Sequence, residues 1–104
     1  MAPPQLTDAQ RRAALAKAAE ARRARAELKE LLRTGSLTLE DVFARAEDDE
    51  IVASTKVFAV LTSLPGFGKI KAKRLMEDLG IAENRRVRGL GDRQRAKLLE
   101  IFSG

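Results

Sequence analysis

The spacing of apolar residues divides the chain into a long polar first segment and several shorter amphipathic ones. Leu15 is the only large apolar residue between residues 9 and 27, whereas residues 28–32 contain three leucines. Thr7–Gln10 has the spacing of a helix capping box, and strong helix formers continue from there to Arg33. This pattern predicts one helix of about seven turns, of which only the last two turns have an apolar face that can pack.

Apolar residues recur at helical spacing in the rest of the chain. Thr38 is the start signal of a short helix with four apolar residues on its inner face. Residues 51–64 are the most apolar stretch, and their β-branched residues would also suit a strand, but a lone strand would have no partner. We therefore predict helix with a break at Ala53–Ser54, and we place Phe58 and Leu61 at the centre of the core.

Two more helices are indicated, one that follows Gly68 and ends at Gly80, and one that begins near Gly91. We expect seven of their side chains to face the core: Ile70, Leu75, Met76, Leu79, Ala96, Leu99 and Phe102. The predicted fold class is all-α. A long basic N-terminal helix, partly flexible, occupies residues 1–36, and a compact bundle of about four short helices occupies residues 37–104.

The composition removes most kinds of active site. The chain contains no Cys, His, Trp or Tyr, which excludes disulfides, thiolate and imidazole metal ligands, and the Ser-His-Asp and Cys-His catalytic arrangements. The acidic run Glu47–Glu50 suits the capping of a following helix better than Mg²⁺ binding. We therefore expect no enzyme activity, no cofactor, no metal site and no small-molecule substrate.

Hydropathy and charge indicate where the protein works and what it binds. No apolar run approaches the ~20 residues of a membrane span, and residues 1–5 lack the apolar segment of a signal peptide. We therefore expect a cytoplasmic protein that does not contact membranes. The net charge of +5 and the pI near 10.1 suggest a polyanionic partner.

The charge is segregated along the chain. Residues 1–34 hold eight Lys or Arg and four Asp or Glu, residues 35–64 hold two and six, and residues 65–104 hold ten and five. Two basic ends and an acidic middle favour a defined nucleic-acid-binding face over a uniformly basic surface.

The clearest candidate for that face is a hairpin, residues 64–69, that leads directly into a lysine-rich helix. Its proline and glycines suit a tight turn that leaves the first amides of the helix pointing outward. A helix N-terminus normally attracts acidic residues, so the cations crowded there indicate a bound phosphate, although an ordinary turn between helices in a basic protein would look similar. The candidate contacts are Pro65, Gly66, Phe67, Gly68, Lys69, Lys71, Lys73 and Arg74.

A second candidate is the arginine loop, residues 82–90, which contains Arg85, Arg86 and Arg88. Three guanidinium groups so close together repel one another unless phosphates are near, and arginine can pair with phosphate through two hydrogen bonds or enter a narrow minor groove. We expect this loop to be mobile and to contribute most of the binding energy.

The long helix offers a possible second binding surface. Five of its cations fall within a stripe about 80° wide: Arg11, Arg22, Arg25, Lys29 and Arg33. A solvated helix with mixed charges would show much the same pattern. Arg22, Arg23 and Arg25 are the residues that we assign to this possible second surface.

The hairpin, and with it the whole chain, resembles known DNA-binding proteins. Leu64–Lys69 followed by a helix resembles the hairpin of helix-hairpin-helix and helix-two-turns-helix DNA-binding modules. With the alanine- and arginine-rich start and the segment Arg85–Gln94, the whole chain resembles the actinobacterial integration host factors, the mycobacterial ones in particular. That resemblance implies a small nucleoid-associated protein that binds duplex DNA with little sequence preference and bends it.

Our interpretation is that residues 37–104 form the DNA-binding domain. The hairpin and the arginine loop would lie on one surface and contact the two sides of a groove of double-stranded DNA, mainly through phosphates. We expect a monomer in the absence of DNA. Three alternatives remain open: a ribosomal or other structured-RNA-binding protein with the same helical module, a DNA lyase or nuclease domain that uses a lysine nucleophile, and a protein-interaction domain.

Overall fold

The computed structural model describes residues 7–102, which form six α-helices and one 3₁₀ turn with no β-strand in this range. The elements are α1 Asp8–Arg33, α2 Leu39–Ala46, α3 Glu50–Ala53, α4 Val57–Ser63, α5 Lys69–Asp78, the 3₁₀ turn Val87–Gly89 and α6 Asp92–Phe102. The all-α class and the long first helix are confirmed, with five short α-helices in place of about four. Residues 1–6, where we expect no signal peptide, and residues 103–104 lie outside the described part.

Helix α1 begins at the predicted capping box. The Thr7 hydroxyl accepts a hydrogen bond from the Gln10 amide at 3.1 Å, and the Thr7 amide donates to Gln10 Oε1 at 2.9 Å. Every residue from 8 to 18 is exposed, whereas Leu28 and Leu32 are buried in the core. Only the C-terminal part of α1 therefore has tertiary packing, as the sequence predicted.

Helix α2 begins with a second capping box, between Thr38 and Asp41. Hydrogen bonds from the Thr38 backbone amide and then from its hydroxyl lower the pKa of the Asp41 carboxyl below its ordinary value. The inner face of α2 is buried as predicted, with Leu39, Val42 and Phe43 in the core.

The predicted break in residues 51–64 is present, because α3 ends at Ala53 and α4 begins at Val57. The residues between the two helices pair with the arginine loop. The Val57 amide donates to the Arg85 carbonyl and the Val87 amide donates to the Thr55 carbonyl, both at 2.9 Å. The chain leaves the helical path here because its backbone bonds to a segment 30 residues away in sequence.

The core is one cluster that includes the leucines of α1 and the apolar faces of the later helices. Leu61 lies at its centre with no exposed surface, as predicted. The prediction that Phe58 lies at the centre of the core was wrong, because this side chain is only partly buried. Val57 and Val60 are buried more deeply.

Two of the seven side chains predicted to face inward from α5 and α6 are exposed. Ile70 is 82% exposed, because the buried face of α5 is set by Ala72 and Met76 and Ile70 lies about 200° around the helix from Ala72. Ala96 is also exposed, and Leu98, which was not predicted, is completely buried in its place.

Candidate nucleic-acid interface

The hairpin is a tight turn whose geometry depends on Pro65 and Gly66. The Phe67 amide donates to the Leu64 carbonyl at 3.1 Å across the turn, and Gly66 has φ of 71°, a left-handed conformation that glycine adopts without strain. Proline followed by a left-handed glycine is the pattern of a type II turn. Helix α5 begins two residues later, at Lys69.

The hairpin is fixed to the body of the protein by apolar contacts. Leu64 is buried, and the half-buried Phe67 ring lies 5.1 Å from the ring of Phe102, measured between centroids. Phe67 was predicted as a DNA contact, and its ring packs against α6. This packing holds the turn in place, and a DNA contact by Phe67 stays a prediction.

The N-terminus of α5 is open to an anion. Its N-cap residue Gly68 has no side chain to cap the helix, and its first turn contains no acidic residue. Within residues 7–102 no acceptor is found for the amides of residues 68–71, and the Ala72 amide is the first that bonds back, to the Gly68 carbonyl at 3.0 Å. By contrast, α1, α2 and α3 are each capped by a threonine or aspartate side chain.

Four exposed cations lie in the first two turns of α5: Lys69, Lys71, Lys73 and Arg74. Lys73 Nζ lies 3.8 Å from a carboxylate oxygen of Glu83, a weak and exposed ion pair. The other three form no ion pair with any residue that the structure describes. Positive side chains and the positive end of the helix dipole are thus concentrated at one place.

The arginine loop is anchored, and our expectation that it is mobile was wrong. Its backbone bonds to residues 55–57, and Val87 is buried. Arg85 is half-buried and donates to the Gly89 carbonyl at 2.8 Å, while Arg86 donates to the Ser54 carbonyl. The short 3₁₀ turn and these bonds hold the three arginines in defined positions.

Arg88 pairs with the Glu50 carboxylate at the start of α3. The neighbouring Asp49 carboxylate accepts hydrogen bonds from the amides of Ile51 and Val52, so it caps this helix. The acidic run thus includes a helix cap and a partner for the arginine loop, and no group of acidic residues in the described part of the chain is arranged to hold a metal ion.

The hairpin and the arginine loop lie at opposite ends of α4. The arginine loop pairs with residues 55–57 at the start of this helix, and the hairpin follows its last residue, Ser63. Seven residues of α-helix rise about 10 Å. A common DNA-facing surface for the two elements stays a prediction.

The basic stripe of α1 reaches the arginine loop. Arg25 and Arg86 line the same surface groove, and an Arg25 Nη lies 3.5 Å from the Ser54 hydroxyl. Arg22 is exposed one turn before Arg25, and Arg23 is exposed about 200° around the helix from Arg25. The structure therefore joins Arg25 to the arginine loop and leaves Arg23 on another side of α1.

Two cations of this groove, Lys29 and Lys56, were not among the residues selected from the sequence. Lys29 belongs to the basic stripe. Lys56 is the one cation within the apolar residues 51–64, and only its pairing with Arg86 brings it to the site. Among the described helices none is both long and apolar enough to cross a membrane.

Comparison with known proteins identifies the family. Residues 32–102 match the family described as the S13-like H2TH domain. Over 102 residues the chain is 59% identical to the integration host factors of Mycolicibacterium smegmatis and Mycobacterium tuberculosis, covering 98% of this chain and 97% of each relative. This chain belongs to the integration host factor family. The family member from Streptomyces coelicolor is 52% identical, over 98% of this chain and 95% of its own.

A solved structure supports the same family on the level of the fold. It is described as the structure of sIHF bound to an 8-base-pair palindromic DNA. It matches with a TM-score of 0.80 and 49% sequence identity, covering 83% of this chain and 97% of that one. The integration host factor resemblance drawn from the hairpin and the arginine-rich segment is thereby confirmed.

Proposed function

We propose that this integration host factor is an architectural protein of the nucleoid that binds and bends duplex DNA with little sequence preference. The observation that carries the proposal is the open N-terminus of α5 with its surrounding cations. The relatives named integration host factor and the DNA-bound sIHF structure support duplex DNA as the anion.

The hairpin provides a phosphate site of a well-known physical kind. Amides at a helix N-terminus point at the ligand, and the helix dipole favours negative charge there. The same dipole opposes the lysines of the first two turns, so the free protein has an electrostatic conflict that a phosphate relieves. Because Leu64 and Phe67 pack on the body, little conformational freedom is lost on binding.

The arginine loop provides the second set of contacts. Each guanidinium has five N–H donors, so one bond to a carbonyl leaves most donors of Arg85 and Arg86 available. Arg88 is half-exposed and exchanges its Glu50 partner for a phosphate. We assign these three arginines the larger share of the binding energy, because guanidinium pairs with phosphate through two hydrogen bonds.

Sequence tolerance follows because none of the described helices combines a free Asn or Gln with Arg on one face, and the exposed Asn84 lies in the arginine loop and not on a helix. Reading of base edges in the major groove uses Asn, Gln and Arg side chains arrayed on one helix. Gln10 is used in the cap of α1, and Gln94 bonds to the Gly91 amide and the Gly80 carbonyl. Binding therefore depends on phosphates and on DNA shape.

We propose that residues 37–104, together with the last turns of α1, act as the DNA-binding domain, and that the exposed first part of α1 is a partly flexible segment. The protein acts as a monomer when free and without enzymatic activity. The alternative of structured RNA is favoured by one observation, the match to a domain family described as S13-like. An isotherm in which structured RNA binds more tightly than duplex DNA would favour that alternative.

The test is the salt dependence of binding to a duplex of random sequence. Each phosphate contact adds about −0.9 to the slope of log affinity against log salt. Replacing Lys69 and Lys73 by alanine should therefore make the slope shallower by up to about two. Arg12→Ala with Lys17→Ala removes the same charge from exposed positions outside the basic stripe and serves as the control. An unchanged slope in the Lys69 and Lys73 variant would show that the hairpin is not the binding surface.

A further inference from the structure

A groove between α1, α4 and the arginine loop collects cations from three elements. We call it the α1–α4 groove. Its lining residues are Arg25, Lys29, Thr55, Lys56, Ala59 and Arg86. The space is about 280 Å³, and a water molecule in the liquid takes about 30 Å³, so a phosphodiester group fits with several of its waters.

The charge of this groove is uncompensated. Four of its six lining residues are cationic and none is acidic. Across residues 7–102 none of these four cations has a carboxylate within ion-pair distance, whereas nearby Arg33 pairs with Glu30 and Arg88 pairs with Glu50. The free protein holds like charges together here, and an anion in the groove would relieve their repulsion.

The backbone fixes the convergence of these cations. Arg25 and Lys29 are four residues apart on α1 and therefore share a face. Lys56 and Arg86 oppose each other in an antiparallel bridge, which places their side chains on the same side. The Arg86 guanidinium is bonded to the Ser54 carbonyl, and an Arg25 Nη lies 3.5 Å from the Ser54 hydroxyl. The site is thus formed before any ligand arrives.

We propose that the α1–α4 groove binds the phosphate backbone of the same duplex that the arginine loop contacts, with Lys29 and Lys56 as direct phosphate contacts. The proposal rests on the proposed function and adds a site to it. Its consequence is that the second half of α1 and the arginine loop hold one DNA strand together. Arg25 then belongs to the first duplex and is not free to bind a second one.

The test compares Lys29→Ala with Lys56→Ala against the control Arg12→Ala with Lys17→Ala. Both double variants lose two exposed lysines or arginines, and neither removes a buried side chain. In the α1–α4 groove variant, the slope of log affinity against log salt for random duplex DNA should be shallower than in wild type by about two. In the control variant the slope should stay close to that of wild type. Equal slopes for the two double variants would overturn the proposal.

A second measurement identifies the source of the phosphate. Tripolyphosphate titrated into the wild-type protein should shift the amide resonances of residues 55–57, since the four cations of the groove also attract a small polyanion, and added duplex DNA should reverse the shift by displacing it. Strong shifts together with an unchanged DNA slope in the groove variant would show a small-anion site and overturn the proposal. Failure of the proposed function would look different, because wild-type protein would then show no salt-dependent binding to DNA.

Discussion

At the scale of single residues, Ile70 illustrates the limit of reading helix faces from one sequence. It has the hydropathy of a core residue, but it lies at the second position of α5 between two exposed lysines. The buried face of α5 is set by Ala72 and Met76, which meet the rest of the core. The prediction for Ala96 and Leu98 was wrong for the same reason. Neighbouring faces of α6 are similarly apolar, and tertiary contacts decide which of them is buried.

Two isoleucines give a matched test of this placement. Ile81→Ala removes a side chain that is 5% exposed, and it should lower the free energy of unfolding by about 2 to 5 kcal/mol. Ile70→Ala removes the same atoms from an exposed site, and its effect should stay within about 0.5 kcal/mol. Chemical denaturation of both variants measures the difference. Comparable losses in the two variants would mean that Ile70 is packed against the protein.

Local signals, by contrast, could be predicted from the sequence. The capping boxes of α1 and α2 involve residues three positions apart, so their pattern is visible in the chain itself. The end of α5 is equally local: Gly80 has φ of 68°, and the Ile81 amide donates to the Met76 carbonyl at 2.8 Å, as in a Schellman motif.

At the scale of the elements, features that depend on contacts close in sequence could be predicted, and features that depend on contacts far apart in sequence could not. The helices and the hairpin were predicted because their turns, caps and apolar spacing are short-range features. The pairing of residues 55–57 with the arginine loop spans about 30 residues and leaves no pattern in the sequence. The anchored arginine loop and the place of Lys56 beside Arg86 both depend on that pairing, so neither could be predicted.

The first part of α1 is helical through local sequence preference alone, whereas its C-terminal part also packs against the core. Residues 8–18 are helical but exposed throughout, and even Leu15 is 63% exposed. Isolated helical segments of that kind are marginally stable in water. We expect fast amide hydrogen exchange there in the free protein, and slower exchange near Arg22 and Arg25 once duplex DNA is added.

Hydrogen exchange with and without duplex DNA measures both effects. Ordering on DNA costs about 1 to 2 kcal/mol per residue fixed, which limits the affinity that this segment adds. The residues around Leu28 and Leu32 are an internal control, because they are buried in the core and should exchange slowly in both states. Slow exchange through residues 8–18 in the free protein, with no further slowing near Arg22 and Arg25 when DNA is added, would contradict this expectation.

At the scale of the whole molecule, the fold brings the two basic ends of the chain together on one surface. The acidic middle of the chain supplies α2, α3 and α4. Three of its six carboxylates have a structural partner, since Asp41 and Asp49 cap helices and Glu50 pairs with Arg88. The two basic ends meet across α4, where Arg25 and Arg86 share one groove, and the hairpin lies at the other end of that helix. Segregation was visible in the sequence, but the meeting of the two ends depends on the fold.

The central claim is that this surface binds duplex DNA through phosphates with little regard to sequence. The most direct test is the affinity of the wild-type protein for two unrelated duplexes of equal length, measured at several salt concentrations. We predict similar affinities for both duplexes and a steep loss of affinity with salt in each case, with equal slopes. A flat salt dependence would contradict the claim, and so would a preference of about 1,000-fold or more for one duplex, which is the range of sequence-specific recognition.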